Sequence, residues 1–346
     1  MHKRTCRVVL SSTGLIAGLI AGFAGMAGAQ AVPIATVACN DIAGLDAAIV
    51  AANAATGPST IVLATGCVYT LTTAADTSGT QGPDGLPIIT NTVTLIGNAT
   101  IIQRDLEASD FRIAEVDTDG TLTVQGITVR FGSAEVGGCY LVTGGGALVL
   151  KHSGVAECEA GGGGGGIALN ESPPPSPTRH GARAVRADGV STALISNSQL
   201  VGNSADDGGA ILADSGSSLR LVTDYLAKNE AVDGGAIYTD GLQVFVGSSE
   251  LTQNRAEDDG GAIYNMDSAV DVAGSKLDRN LADDEGGAIY NDASTLIENS
   301  SVVSNSAPAG GGIWQEGGPI VVIKSLIASN VVNNCAPLAS VPGCFG

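Results

Sequence analysis

The tetrapeptide GGAI begins at Gly208, Gly234, Gly260 and Gly286, spaced 26 residues apart each time, and a GGGI variant begins at Gly310. A second motif keeps the same beat, an aliphatic residue three positions before an asparagine. It reads Leu200/Asn203, Leu226/Asn229, Leu251/Asn254, Leu277/Asn280, Val302/Asn305 and Ile327/Asn330. Between the two motifs lies a third apolar run with alternation, as in Val244-Phe245-Val246 or Val270-Asp271-Val272. Three short strands per unit, joined by tight bends, predict an all-β chain wound as a right-handed parallel β-helix. Each coil then rests on the one below, and equivalent residues recur about every 4.8 Å along the axis. A leucine-rich repeat of similar period is excluded, because these units carry Gly, Ser, Thr and Val where it needs several leucines.

Stacking turns each repeated position into a column. Ile211, Ile237, Ile263, Ile289 and Ile313 are expected to line the interior. The paired glycines suit a sharp corner that residues with a Cβ resist. The asparagines suit an internal ladder in which each amide bonds its copy one coil away, a scaffold role rather than a catalytic one. Upstream, residues 92–96, 99–102 and 121–129 are β-branched and alternating, and Gly144 and Gly164 open what look like earlier copies of the glycine corner. Residues 59–330 thus predict about ten coils, with a proline-rich loop, ESPPPSPTRHG, inserted at 171–181. An open solenoid end must be covered. Residues 32–58 form the expected first cap, a short helix with Asp41 as N-cap and Ile42, Leu45, Ile49 and Val50 on its apolar face. Residues 331–346 form the expected second cap.

Residues 1–31 open on Lys3, Arg4 and Arg7, pass through a short apolar run and reach small-residue sites at Ala27-Gly28-Ala29 and Ala29-Gln30-Ala31. That order predicts a secretory signal peptide, so the protein is expected outside the cell or on its surface, with no integral membrane segment after cleavage. Cleavage would remove three of the 16 basic residues and none of the 35 acidic ones, leaving a net charge of −22. So acidic a chain is expected to bind neither nucleic acid nor anionic lipid. The six cysteines beyond the leader contain no C-x-x-C pair, which argues for disulfides rather than zinc. Proximity and the need to pin both caps favour Cys39–Cys67, Cys139–Cys158 and Cys335–Cys344.

GGAI paired with aliphatic-x-x-Asn resembles the repeats of chlamydial polymorphic outer membrane proteins and of the wider group of bacterial right-handed β-helix repeat proteins. Residues 39–53, CNDIAGLDAAIVAAN, resemble the cap segment that opens many of these. The resemblance spans nearly all of the chain beyond the leader. It implies the fold, and for function it implies adhesins, surface proteins or polysaccharide-degrading enzymes. No β-barrel region follows the repeats, so the outer-membrane anchoring of the chlamydial proteins is not expected here.

Two column sets are candidate sites. After each GGAI the next residue is Leu212, Tyr238, Tyr264, Tyr290 and Trp314. If the isoleucines point inward, alternation sends the four rings outward as a stripe suited to a carbohydrate or a surface protein; if the two columns exchange faces, the rings are core. The corner acids Asp206, Asp207, Asp233, Asp258, Asp259, Asp283 and Asp284 are either splayed, solvated carboxylates or oxygen-rich Ca²⁺ sites bridging coils. No other cofactor is expected. A pectinase-like lyase or hydrolase would need two carboxylates flanking one sugar bond. The corner acids recur in four coils, however, whereas a catalytic site should be a single departure from the repeat. The expectation is therefore a non-catalytic binding or structural surface, with no catalytic residue assigned.

Overall fold

The computed structural model describes residues 34–78, 81–117, 119–170 and 189–344. The expected signal peptide and the loop at 171–181 lie outside the described residues. The chain is a right-handed parallel β-helix of about 11 turns.

One coil shows why the repeat folds as it does. Gln243–Gly247 runs along the first sheet, with Val244 and Val246 inward. Ser248, at φ 50°, bends the chain into Glu250–Thr252. Gln253, at φ 57°, bends it again into the short strand Arg255–Ala256, and Gly260, at φ 66°, turns it into Ile263–Asn265. A Cβ on Gly260 would lie 2.6 Å from the Ile263 carbonyl oxygen, so this corner needs glycine. The next coil lands in register, with Val244 over Val270, Val246 over Val272, Leu251 over Leu277 and Ile263 over Ile289. All of these side chains are buried. At roughly 1.5–3 kcal/mol for each buried aliphatic side chain, such columns are the main source of cohesion.

Polar ladders close the inner bends. Asn203, Asn229, Asn254, Asn280, Asn305 and Asn330 each donate a side-chain N–H to the amide oxygen above, at 2.9–3.1 Å, ending on Asn334. The same oxygens accept backbone N–H groups of the coil below. A second ladder, of serines, sits at the other bend. The backbone N–H groups of Ser249, Ser275 and Ser300 donate to the hydroxyls of Ser275, Ser300 and Ser325, each at 3.0 Å. Asp224 replaces serine in one coil, and burial pushes its carboxyl up to about 6.

The caps differ in detail from expectation. The helix is Ile42–Asn53, and the Asp41 carboxylate accepts the Gly44 N–H at 3.0 Å. Its buried face is Leu45, Ile49 and Ala52, while Val50 points to solvent. A strand precedes it: Ile34–Val37 pairs in parallel with Ser59–Leu63, adding a coil to the repeat count. Gly144 is not an early copy of the glycine corner, because the strand after it, Ala147–Lys151, belongs to the first sheet. The true copy is Gly137, at φ 65°, just before Tyr140–Val142, which pairs with Ile167–Leu169 as the later corners' strands pair with theirs. At the far end Val341 packs into the core and Cys335–Ala336 adds to the third sheet. The three disulfides are Cys39–Cys67, Cys139–Cys158 and Cys335–Cys344. Among the described residues no helix is long and apolar enough to cross a membrane.

Candidate functional site

The strands Ile237–Thr239, Ile263–Asn265, Ile289–Asn291 and Ile313–Gln315 stack as the third sheet. Their first residues, all isoleucine, are fully buried. Alternation therefore turns Tyr238, Tyr264, Tyr290 and Trp314 to the outer face, where each is half-buried. Of the two facings open from the sequence, the structure shows the outward one. The Tyr238 and Tyr264 ring centres are 5.0 Å apart at 4°, and those of Tyr264 and Tyr290 are 4.6 Å apart at 3°. Rings so stacked spend their faces on one another. What remains for a partner is ring edges and hydroxyls, not the open faces on which a single sugar would stack. At the ends of the stripe, the Tyr238 hydroxyl donates to Met266 Sδ at 2.9 Å and Trp314 Nε1 donates to Glu316 at 3.2 Å.

Carboxylates flank the rings on both sides. On one side stand Asp207, Asp233, Asp259 and Glu285, each just before a glycine corner. Asp233 accepts the Asp259 N–H at 3.2 Å and Asp259 accepts the Glu285 N–H at 2.9 Å, so side chains of this column tie one coil to the next. Burial, with repulsion from Asp233, Asp206 and Asp214 added, pushes the Asp207 carboxyl up to about 6. Burial likewise raises Asp259 to about 7 against the Glu285 hydrogen bond, helped by Asp258, Asp233 and Glu285. Asp233 is raised for the same leading reason. On the other side, burial and the neighbouring Asp214 raise Asp240 to about 7. Burial and these acids together push the Tyr264 hydroxyl up to about 12 and raise Tyr238 and Tyr290 as well. The stripe is thus a set of neutral phenols between two rows of acids.

The corner acids proposed as metal ligands divide. Asp233, Asp258 and Asp259 bring carboxylate oxygens within 4.8 Å of one another and could hold one cation. Asp206, Asp258, Asp283 and Asp284 are exposed. Asp283 is engaged by Arg255, which also meets Glu230 at 2.8 Å and Glu257 at 3.5 Å. One oxygen each of Asp233 and Asp259 is already taken by a backbone N–H, which leaves few free donors for an ion that wants six to eight.

Sequence reasoning missed a cluster around Arg112. This side chain is completely buried. Its Nη1 lies 3.0 Å from both Asp84 and Glu115, and its Nη2 donates to the carbonyls of Gln81 and Val136. Burial is the largest influence on both acids, raising Asp84 to about 7 and Glu115 in the same direction. Residues 84–89 run in parallel beside residues 112–116, with Asp84 next to Arg112 and Ile89 next to Val116, and the guanidinium ties the Gln81 carbonyl and the Asp84 carboxylate to that edge. A basic residue between Phe111 and Ile113 in an apolar run was the available signal.

No family model, curated protein or solved structure matches the chain. The assignment of function therefore rests on these surfaces alone.

Proposed function

We propose that the chain is a non-catalytic, secreted or cell-surface β-helix whose third-sheet face makes extended contact with a carbohydrate polymer or a surface protein. The observation that carries this reading is the outward tyrosine ladder, repeated once per coil between two carboxylate columns. Repetition at the coil spacing suits a partner that runs along the rod. Phenol hydroxyls donate and carboxylates accept, which matches a hydroxyl-rich chain lying edge-on to the rings. The three disulfides support an oxidising compartment.

The alternative, a pectinase-like lyase or hydrolase, needs two carboxylates that a sugar can reach. One carboxylate pair that departs from the repeat, Asp84 and Glu115, is buried around Arg112, and a sugar does not reach it. The corner acids recur from coil to coil. The test is a glycan and surface-protein array probed with residues 32–346, run beside an assay for unsaturated or reducing sugar ends. Binding without sugar release is expected. Turnover of pectin or another uronan, abolished by one Asp→Ala change at a corner, would overturn the reading.

A further inference from the structure

The two ends of the rod are finished differently. At the first, the helix Ile42–Asn53 packs on the opening coils through Leu45, Ile49 and Ala52, and the acids Asp41 and Asp46 stand on it. At the second, Cys335–Ala336 extends the third sheet. The other strands of the last coil, Ile320–Ile323 and Leu326–Ala328, pair with the coil behind them and with no further strand among the described residues.

The hydrogen bonds show which backbone groups this leaves open. The carbonyls of Pro319 and Ile323 accept the N–H groups of Thr295 and Asn299, and the Leu326 N–H donates to Ser300, so these residues face back along the rod. Backbone groups of successive strand residues point to opposite edges. Ile320, Val322 and Ile327 therefore present N–H and C=O away from the end, a template for another strand.

The core is also unfinished here. Val322 and Ile327 are only partly buried, whereas Ile297 and Val302, their counterparts one coil back, are fully buried. Around them Val321, Ile323, Leu326, Val331, Val332 and Leu338 are exposed, an apolar patch of the kind that marks a contact surface.

Charge selects the partner. Residues 317–346 hold one lysine, Lys324, and no aspartate or glutamate, in a chain with 35 acids. Glu316 and Glu298 lie behind the edge, at the preceding turn and opposite Ile323. Two copies of so acidic a rod repel wherever their flanks approach within about 8 Å at physiological salt. At this end they can meet without facing rows of carboxylates.

We propose that this end pairs with the same end of a second copy, in a twofold dimer joined by antiparallel pairing of the Ile320–Ile323 edges. With the twofold at Val322, that residue and its copy exchange two N–H···O bonds, and Val321 lies opposite Ile323 of the partner subunit. Inward residues then meet inward residues, so the two cores join. The contact uses one acid-free surface twice and closes. Head-to-tail stacking would instead set that surface against the acidic, helix-covered end. The dimer is independent of any ligand on the tyrosine ladder.

The test is sedimentation velocity on residues 32–346 across the micromolar range, at low and high salt. A monomer–dimer equilibrium that salt strengthens is expected, with no larger species. Val322→Pro removes an outward N–H at a position where an edge strand tolerates proline. Leu326→Asp sets a carboxylate on the exposed patch of each copy. Each should weaken dimerisation about tenfold or more, the equivalent of losing one or two hydrogen bonds, with circular dichroism confirming the fold. Leu326→Asp, at an exposed side chain, keeps the test decisive if Val322→Pro unfolds. Tyr264→Ala should leave the dimer intact. A monomer at every concentration, assemblies that grow beyond dimers, or a dimer that survives Leu326→Asp would overturn the proposal. Loss of the dimer in Tyr264→Ala would also overturn it, by moving the contact to the ladder.

Discussion

Asn254 offers a test of how the coils are held together. It is buried, and four hydrogen bonds depend on its amide. Its N–H₂ donates to the Leu226 carbonyl at 3.1 Å and to Asn280 at 3.0 Å, and its oxygen accepts the backbone and side-chain N–H of Asn229 at 3.1 and 2.9 Å. Asn254→Leu keeps the branched outline of the side chain, with bulkier methyl groups, and removes all four. At about 1 kcal/mol net for each bond, and more for donors left buried without a partner, the gross loss is about 4–6 kcal/mol. The leucine regains about 1–2 kcal/mol by burying apolar surface. The net cost should be about 3 kcal/mol. Asn330→Leu, at the more open end of the ladder where Asn330 is 8% exposed, should cost less. Urea unfolding followed by circular dichroism reads the difference, with hydrogen exchange at Asn229 and Asn280 reporting whether coils loosen locally, as solenoids allow. A cost below about 1 kcal/mol at Asn254, or an equal cost at Asn330, would refute the ladder as a main source of cohesion.

Acid pH should stabilise the rod. The carboxyls of Asp207, Asp240 and Asp259 titrate higher folded than unfolded, so the native state binds more protons between about pH 4 and 7, and stability falls as pH rises through that window. The melting temperature should be higher at pH 5 than at pH 8, Asp259→Asn should narrow the gap by raising the pH 8 value, and a melting temperature that climbs with pH would contradict this. If Asp233, Asp258 and Asp259 hold Ca²⁺, millimolar Ca²⁺ should raise the melting temperature over EDTA, and Asp258→Asn should remove the rise; identical melting in both would leave the acids as solvated carboxylates. Reducing Cys139–Cys158, which closes a chain separation of 19 residues, should cost about 3 kcal/mol, and peptide mapping that finds either cysteine joined elsewhere would refute the pairing.

The regular half of the molecule was legible because one position per coil repeats one chemistry. Isoleucine after each Gly-Gly-Ala, asparagine at each second bend and tyrosine beside the isoleucine could be read as columns, and they stack as columns. The serine ladder carries an equally regular period but is diluted by the many other serines, and Asp224 interrupts it. The Arg112 cluster could not be read, because it joins residues 81–84, 112–115 and 136, which share no period. Gly144 misled because a glycine run marks a sharp turn without saying which of the coil's corners it makes. The facing of the rings was open in the sequence because two adjacent apolar columns can exchange sides. The structure decides it through the complete burial of the isoleucines.

The most direct measurement compares wild type with a variant carrying Tyr238→Ala, Tyr264→Ala, Tyr290→Ala and Trp314→Ala together. Both are assayed for binding to the strongest ligand found on the arrays and for far-ultraviolet circular dichroism. A variant that stays folded and loses binding, with Tyr264→Ala alone weakening it modestly, is the predicted result. A folded variant that binds as the wild type does, or one that fails to fold because the rings are structural, would contradict the proposal that this ladder is the contact face.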